Sequence, residues 1–164
     1  MTPSLFCKLS ADLSTLLAST YLGGTGYEQG VSLALVSRGN VFVTGTISYN
    51  ANESFPVQPT AYSSPPHDSG WNIIVSKFSP DLDQLLASTY LGGTGVERGR
   101  SIVVDRTGNV YIAASSDSWD FPTTKGAFGR SYSGIGGESV IVKFSPDLTN
   151  NYIALPPYFL LMKK

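Results

Sequence analysis

The chain has 164 residues, 41% of them apolar, and this length suits a single domain with a reasonable core. Only 14% of the residues are charged, while 17 glycines and 10 prolines make turns dense, so we expect a β-protein without long solvated helices. The net charge of −1 disfavours nucleic acid as a partner, and the single cysteine and single histidine exclude an intrachain disulfide and multi-cysteine or paired-histidine metal sites. No cofactor is therefore expected.

No stretch of the sequence has the character of a targeting or membrane segment. The first residues lack a basic region followed by an apolar one, and no run of 18 apolar residues occurs. We therefore expect neither a signal peptide nor insertion into a membrane.

An internal repeat dominates the chain. The segment LLASTYLGGTG at residues 16–26 recurs residue for residue at residues 85–95, an offset of 69. Over the wider alignment of residues 8–45 with residues 77–114, 21 of 38 positions are identical. A repeat of this length has to be identified before any local pattern is interpreted, because it decides the fold.

A third copy begins before residue 142, where VKFSPDL repeats the KFSPDL of residues 77–82. The third copy ends after Leu148, and residues 149–164 form a divergent tail. We expect Pro156 and Pro157 in this tail to limit strand pairing, so that the tail covers the last blade or is poorly ordered. The predicted organisation is thus a repeat region, residues 5–148, with copies at residues 5–71 and 72–137 and a partial copy at residues 138–148.

Each copy divides into four short strand-like segments, which are clearest in the second copy. Residues 72–79 are rich in β-branched side chains and end at a Pro-Asp turn, and residues 85–91 run into a double glycine. Residues 101–105, SIVVD, suit a strand buried on both faces, and a Gly-Asn turn leads from them into residues 110–114. Four short antiparallel strands in each repeat are typical of a β-propeller blade. The sequence therefore predicts an all-β fold, an incomplete propeller of about two blades plus flanking strands.

Three motifs carry a family resemblance. The motifs are KLSADLSTLLASTYLGGTG, SIVVDRTGNVYIA and DFPTTKGAF. Over about residues 5–148, the chain resembles the bacterial SBBP repeat, a seven-bladed β-propeller repeat. The sequence departs from the family pattern where Leu13 and Leu82 stand at its turn glycine. The resemblance implies that SIVVD is an innermost strand, so that the chain opens with the last two strands of a blade. One whole blade then spans about residues 30–91, and three strands follow.

The resemblance also implies a function class. Proteins with this repeat are mostly secreted or located on the bacterial cell surface, and their propeller is a non-catalytic module for macromolecular binding or a structural spacer. The implied partners are a protein or carbohydrate ligand, and neighbouring blades of a larger propeller or other copies of the chain. We expect a truncated piece of a larger propeller, and the alternative is a carbohydrate-binding partial propeller that closes by oligomerisation.

No catalytic residues are predicted. His67 and Asp68 lie in one loop rich in proline and serine, whereas a catalytic triad needs groups held by separate fixed elements. The double glycines have neither the lysine nor the following helix of a phosphate-binding loop. Cys7 lies on a predicted strand between Phe6 and Lys8, with no histidine nearby, and we expect a buried structural thiol.

Two groups of residues remain as candidates. Trp71 and Trp119 lie in variable loops with acidic neighbours, a pattern typical of carbohydrate-binding surfaces, although burial over the blade edge is the commoner fate of tryptophan. Tyr21 and Tyr90 match between copies and are expected to pack on the outer strand. The predicted ligand-binding residues are Trp71, Trp119, Asp117 and Asp120, and the predicted structural repeat residues are Tyr21, Gly23, Gly24, Gly39, Asn40, Tyr90, Gly92, Gly93, Gly108 and Asn109.

Overall fold

A computed structural model describes residues 3–24, 26–36, 38–48, 55–58, 61–62, 70–132, 134 and 136–149. Within these residues nine strands form three antiparallel sheets. The described part contains no helix long and apolar enough to cross a bilayer. The strands are β1 Ser4–Leu9, β2 Leu16–Leu22, β3 Tyr27–Leu35, β4 Val41–Ser48, β5 Trp71–Phe78, β6 Leu85–Leu91, β7 Glu97–Val104, β8 Val110–Ser116 and β9 Glu138–Phe144.

The sheets follow the predicted phase of the repeat. The strands β1 and β2 form a two-stranded sheet, β3 to β6 a complete four-stranded sheet in chain order, and β7 to β9 a three-stranded sheet. The prediction of one complete blade flanked by partial blades is confirmed. The four-stranded and the three-stranded sheets each begin at the strand after a double glycine, so each of these two sheets combines strands from two successive sequence copies.

Strands β4 to β6 of the central four-stranded sheet are largely buried on both faces, whereas Leu33 and Leu35 of β3 are exposed. Alternation along β4 sends Phe42 to one face and Val43 to the other, and both side chains are almost fully buried. On one face, Phe6 of β1 meets Phe78 of β5 with ring centroids 6.2 Å apart. On the other face, the side chains form one cluster with β7 to β9, whose largest buried members include Ile73, Val75, Leu91, Ile112 and Phe144. The three sheets are therefore stacked side by side, as the blades of a propeller are.

The outer faces of the two flanking sheets are exposed. On the two-stranded sheet these exposed positions include Leu5 and Tyr21, and on the three-stranded sheet they include Val103 and Ile141. No described residue forms a further sheet against them. Each flanking sheet thus has one buried face and one apolar exposed face.

This exposure corrects three predictions. Cys7 is exposed and not buried, and Tyr21 is 69% exposed although the matched Tyr90 is 8% exposed. Both side chains point away from the central sheet, and no further sheet among the described residues covers them. The predicted strand 101–105 begins earlier, at Glu97, and only one of its faces is buried, because the outer face that carries Val103 is open.

The turns explain the departures from the family motif. Leu13, Leu82 and Leu148 occupy the same position after three Ser-x-Asp turns, and all have a positive φ near 60°. Glycine adopts this conformation without strain, which accounts for the glycine of the motif. The three turns are thus structurally equivalent although leucine replaces glycine in each.

A lysine links each sheet to the next one at equivalent positions. Lys8 Nζ donates to the carbonyl of Pro80 at 3.1 Å and pairs with Asp81, while Lys77 Nζ donates to the carbonyl of Pro146 at 2.9 Å. Residues 8 and 77 are separated by the repeat offset of 69. The two observed contacts between sheets therefore have the same arrangement.

Candidate binding site at the blade connector

Residues 92–96 connect β6 of the central sheet to β7 of the next sheet, and we call this segment the connector. It carries the second Gly-Gly-Thr-Gly motif, which was predicted to form a turn at a blade corner. Glu97, the first residue of β7, is fully buried directly after it. The connector passes from the outer strand of one blade to the inner strand of the next.

The Glu97 carboxylate fixes the connector. Its Oε2 atom accepts the backbone N–H of Gly93 at 3.0 Å, and its Oε1 atom accepts the hydroxyls of Ser116 at 2.6 Å and Ser118 at 2.5 Å. Hydrogen bonds to an ionised carboxylate are shorter and stronger than bonds between neutral groups. A buried acidic side chain is thus satisfied by three donors, and its role here is structural.

The loop after β8 holds the connector from the other side. Asp120 Oδ1 accepts the backbone N–H of Thr94 at 2.8 Å and its hydroxyl at 3.0 Å, and Ser118 Oγ accepts the N–H of Gly95 at 2.7 Å. Asp117 accepts the N–H of Val96. The predicted ligand-binding residues Asp117 and Asp120 therefore bind the backbone of the connector.

The close approach of this loop explains two glycines of the motif. A Cβ atom at Gly93 would lie 2.6 Å from the Cβ of Ser118, and one at Gly92 would meet Asn72 and Glu97. Real Cβ atoms do not approach other atoms this closely, so any side chain here would displace the loop or the buried carboxylate. These glycines are required by packing.

The structure brings the four predicted ligand-binding residues around the same connector. Trp119 lies between Asp117 and Asp120 and is 77% exposed. Trp71 was predicted to lie in a loop, and this prediction is wrong. It is the first residue of β5, where it forms a parallel bridge to Val96. Trp71 also makes an edge contact with Tyr27, with ring centroids 5.4 Å apart. Trp119 is thus an exposed indole between two aspartates whose side chains are bonded to the connector.

The first copy contains a related but incomplete arrangement. Glu28 is buried and accepts the backbone N–H of Gly24 at 2.9 Å through Oε1, but its Oε2 atom has no hydrogen-bond partner among the described residues. Glu28 lies opposite Ile47 in the sheet, whereas Glu97 lies opposite Ser116. Gly23 and Gly24 occupy the positions of Gly92 and Gly93. Ile47 therefore stands beside Glu28 where the hydroxyl of Ser116 serves Glu97.

The hairpin turns match between the copies as predicted. Gly39 and Gly108 have φ values of 83° and 89°, and each N–H donates to the carbonyl three residues before it, at 2.7 and 3.0 Å. Asn40 and Asn109 each accept the backbone N–H that closes the turn, from Val36 and Asp105 respectively, at 3.1 and 2.9 Å.

Of the two hairpin turns, only the one between β7 and β8 begins with a carboxylate residue, Asp105. Asp105 accepts the Asn109 side chain at 2.9 Å, and it also accepts donors from Thr107 and Tyr111. These hydrogen bonds, above all that from the Asn109 side chain, hold the pKa of the Asp105 carboxyl well below its ordinary value of 3.8. In the first copy Val36 stands at the position of Asp105, so the corresponding turn lacks this carboxylate.

Two predictions fall outside the described residues. The first is that His67 and Asp68 do not belong to a catalytic triad, and the second is the placement of residues 150–164 of the tail. Among the residues that the structure describes, no three histidine, cysteine, aspartate or glutamate side chains are grouped to hold a metal ion. The second double glycine leads into strand β7 and not into a helix.

The buried glutamates were not identified from the sequence. Glu28 and Glu97 are identical at the repeat offset and follow the double glycine of each copy, in a segment where most other residues are small or apolar. An acidic residue retained at this position in both copies is a signal that a structural carboxylate is required. No sequence signal marked Ser118, because it lies in the part of the repeat where the copies differ.

Comparison with known proteins agrees with this geometry. The family model "SBBP: Beta-propeller repeat" matches residues 88–122, which run from β6 through the connector and the β7–β8 hairpin into the loop that carries Trp119. No curated protein matches the chain significantly. The matched segment has the predicted blade topology, an outer strand followed by the two inner strands of the next sheet. The chain therefore contains an SBBP β-propeller repeat.

Proposed function

We propose that the chain is a non-catalytic propeller-type module of a secreted or cell-surface protein, which acts in macromolecular binding or as a structural spacer. The observation that carries this proposal is the lateral stacking of the sheets. The central sheet is complete, its strands β4 to β6 are largely buried on both faces, and each flanking sheet presents an exposed apolar face. Stacked repeats bury their cores against neighbours in this way, and their loops and rims supply binding surfaces.

The use of polar side chains supports a non-catalytic role. Glu97, Asp117 and Asp120 all accept backbone N–H groups of the connector, and Asp105 is engaged by the turn that it closes. A general acid or base needs access to a substrate proton. These carboxylates are occupied in holding the blade corner and the hairpin.

Carbohydrate binding is a second candidate, and the exposed Trp119 favours it. An indole 77% exposed to solvent can stack on a sugar ring, and the hydrogen bonds of Asp117 and Asp120 fix the loop that carries it. A loop that is already held in place needs little further ordering of its backbone when a ligand binds. This alternative places the ligand at the rim of the blade, beside the connector.

The test is a binding experiment with matched variants. Purified chain is passed over immobilised polysaccharides and extracellular proteins, and Trp119→Ala is compared with Phe128→Ala, which removes another exposed aromatic. Binding to a polysaccharide that only Trp119→Ala abolishes supports the carbohydrate alternative. Binding to a protein supports macromolecular binding, and binding to neither class supports the spacer.

A separate measurement tests the location. Cells that produce the native protein are fractionated, and the protein is detected with an antibody in the medium, the surface fraction and the cytosol. Recovery from the medium or surface agrees with the proposal. Recovery from the cytosol alone overturns it.

A further inference from the structure

The stack of three sheets has one exposed face at each end, on the β1–β2 sheet and on the β7–β9 sheet. We call Leu5, Cys7, Leu9, Ser19 and Tyr21 the outer N-terminal face, and Val103, Tyr111, Ala113, Ile141 and Lys143 the outer C-terminal face. The first set lies on β1 and β2, and the second on β7, β8 and β9. Inside the chain, the equivalents of these two faces pack against each other.

The outer N-terminal face has a buried counterpart in the central sheet. At the offset of 69, Leu5 corresponds to Ile74, Leu9 to Phe78 and Tyr21 to Tyr90. The three counterparts are 0%, 3% and 8% exposed, whereas Leu5, Leu9 and Tyr21 are 54%, 47% and 69% exposed. The counterparts are covered by the β1–β2 sheet, which supplies Phe6 and Ala18 to the same cluster.

The outer C-terminal face has buried counterparts as well. Ile141 of β9 corresponds to Phe6 of β1, and Tyr111 corresponds to Phe42 in the central sheet. Phe6 is in contact with Phe78, and Phe42 belongs to the cluster between the central and the last sheet. Yet Ile141 is 57% exposed. The face that carries Ile141 is thus covered where a further sheet follows, as at Phe6 and Phe42, but it is open on the β7–β9 sheet.

We propose that a second copy of this chain docks head to tail, with its outer N-terminal face on the outer C-terminal face of the first copy. The contact repeats the arrangement found twice within the chain, so Ile141 of one copy packs against Leu9 of the other as Phe6 packs against Phe78. The inference rests on the proposed propeller-type module. It adds a second copy of the chain as the partner and the two outer faces as the contact surface.

Charge complementarity supports this pairing. Lys143 is the third member of the series that begins with Lys8 and Lys77, and its Nζ lies 5.3 Å from the ring centroid of Tyr111, as Lys77 Nζ lies 5.4 Å from that of Phe42. Lys8 and Lys77 also donate to carbonyls in the next sheet, and Lys8 pairs with Asp81 there. The residues equivalent to Pro80 and Asp81 on the outer N-terminal face are Ala11 and Asp12.

The proposal therefore gives Lys143 a partner in the second copy. Its ammonium group donates to the carbonyl of Ala11 and faces the carboxylate of Asp12, as Lys8 does with Pro80 and Asp81. The contact is heterologous, so each pair of copies retains one open face of each kind, and association continues until a ring closes. Because β1 and β2 are only two strands, the contact covers only part of the three-stranded sheet, and we expect moderate affinity.

The experiment is sedimentation velocity on the full chain with reducing agent present, over a concentration series from micromolar to hundreds of micromolar. We expect the weight-average mass to rise above 17.5 kDa with concentration. Ile141→Asp should abolish the rise, and Phe128→Asp, which adds the same charge at another exposed position, should not. Lys143→Asp should weaken association at least several-fold, and Asp12→Lys in the same chain should restore part of it.

The exposed Cys7 provides an independent measurement on the same surface. The rate of its reaction with a thiol reagent should fall at least several-fold at high protein concentration, and Ile141→Asp should remove this protection. A constant mass of 17.5 kDa with unprotected Cys7 overturns the inference. So does association that is insensitive to Ile141→Asp. Circular dichroism of each sample separates this failure from that of the propeller-type module, since loss of the blade structure would contradict the module as well.

Discussion

Glu28 and Glu97 occupy the same buried position in successive repeats, but within the part of the chain that the structure describes only Glu97 has hydrogen bonds to both of its carboxylate oxygens. Glu97 accepts one backbone N–H and two serine hydroxyls, whereas no described residue donates a hydrogen bond to Oε2 of Glu28. Burial of an unpaired polar atom costs free energy, and removal of a charge-assisted hydrogen bond costs more than removal of a neutral one. The two glutamates therefore make unequal contributions to stability.

Glutamine substitution tests this inequality. Glu97→Gln should lower the free energy of unfolding by about 1–3 kcal/mol, because it weakens three charge-assisted hydrogen bonds. Glu28→Gln weakens one such bond but removes a buried charge with an unpaired oxygen, so its net effect should stay within about 0.5 kcal/mol of zero. Urea unfolding of both variants is the measurement. Equal losses, or a larger loss for Glu28→Gln, would contradict the assignment.

Tyr21 and Tyr90 form a second matched pair. Tyr90→Ala should cost about 3–5 kcal/mol, since Tyr90 is almost fully buried in the cluster on the β1–β2 side of the central sheet. Tyr21→Ala should cost no more than about 0.5 kcal/mol at concentrations where the chain is monomeric. Thermal and urea unfolding at low micromolar concentration provide the comparison. A large loss for Tyr21→Ala would mean that the outer N-terminal face is covered in the monomer.

The leucines with positive φ give opposite predictions for the same substitution. Leu13 and Leu82 have φ values of 61° and 59°, but Leu13 is 73% exposed and Leu82 is 7% exposed. Leu13→Gly relieves backbone strain and should raise stability by about 0.5 kcal/mol after the entropy cost of glycine. Leu82→Gly also empties a core site and should lower stability by about 2–4 kcal/mol. Loss of stability in both variants would show that strain at this turn is negligible.

Asp105 should contribute to the loss of stability in acid. Hydrogen bonds, first that from the Asn109 side chain and then that from Thr107, hold its folded-state pKa well below the ordinary value of 3.8. A carboxyl with a depressed folded pKa stabilises the fold fully above its unfolded pKa, and this contribution is lost as the pH falls through the folded pKa. Asp105→Asn should therefore lower the thermal midpoint at pH 6 and have a smaller effect at pH 2.5. A difference that stays constant between these two pH values would contradict the shift.

A second carboxylate provides a control for the acid experiment. The pKa of Asp12 is lowered to about 2, chiefly by its hydrogen bond from the Ser10 side chain. Asp12→Asn should show the same pH dependence in a turn of the first sheet, far along the chain from Asp105. Additive effects of the two substitutions would agree with two independent sites.

The strands and their division among sheets were predictable because the strand-forming segments repeat at a fixed offset. Segments such as LLASTYL occur twice at one offset, so the strand order in one blade fixes that in the next. The positive φ of Gly39 and Gly108 followed from the same repetition. These features depend on local sequence, which is retained between copies.

Burial at the two ends was not predictable in this way. Cys7 and Tyr21 have the sequence environment of the core residues Ser76 and Tyr90, yet they are exposed, because burial depends on a neighbouring sheet and not on the strand itself. The contacts of Asp117 and Asp120 with the connector also escaped prediction. They arise from the non-repeating loop after β8, whose path the repeat does not determine.

The central claim is that a complete sheet is buried between two partial ones, and amide hydrogen exchange of the monomer tests it most directly. Peptides from β4 and β5, which are paired on both sides and covered on both faces, should exchange most slowly. Peptides from β1 and β2, which form a two-stranded sheet with one open face, should exchange much faster. Strongest protection in β1 and β2, or equal protection in all three sheets, would contradict the stacked arrangement.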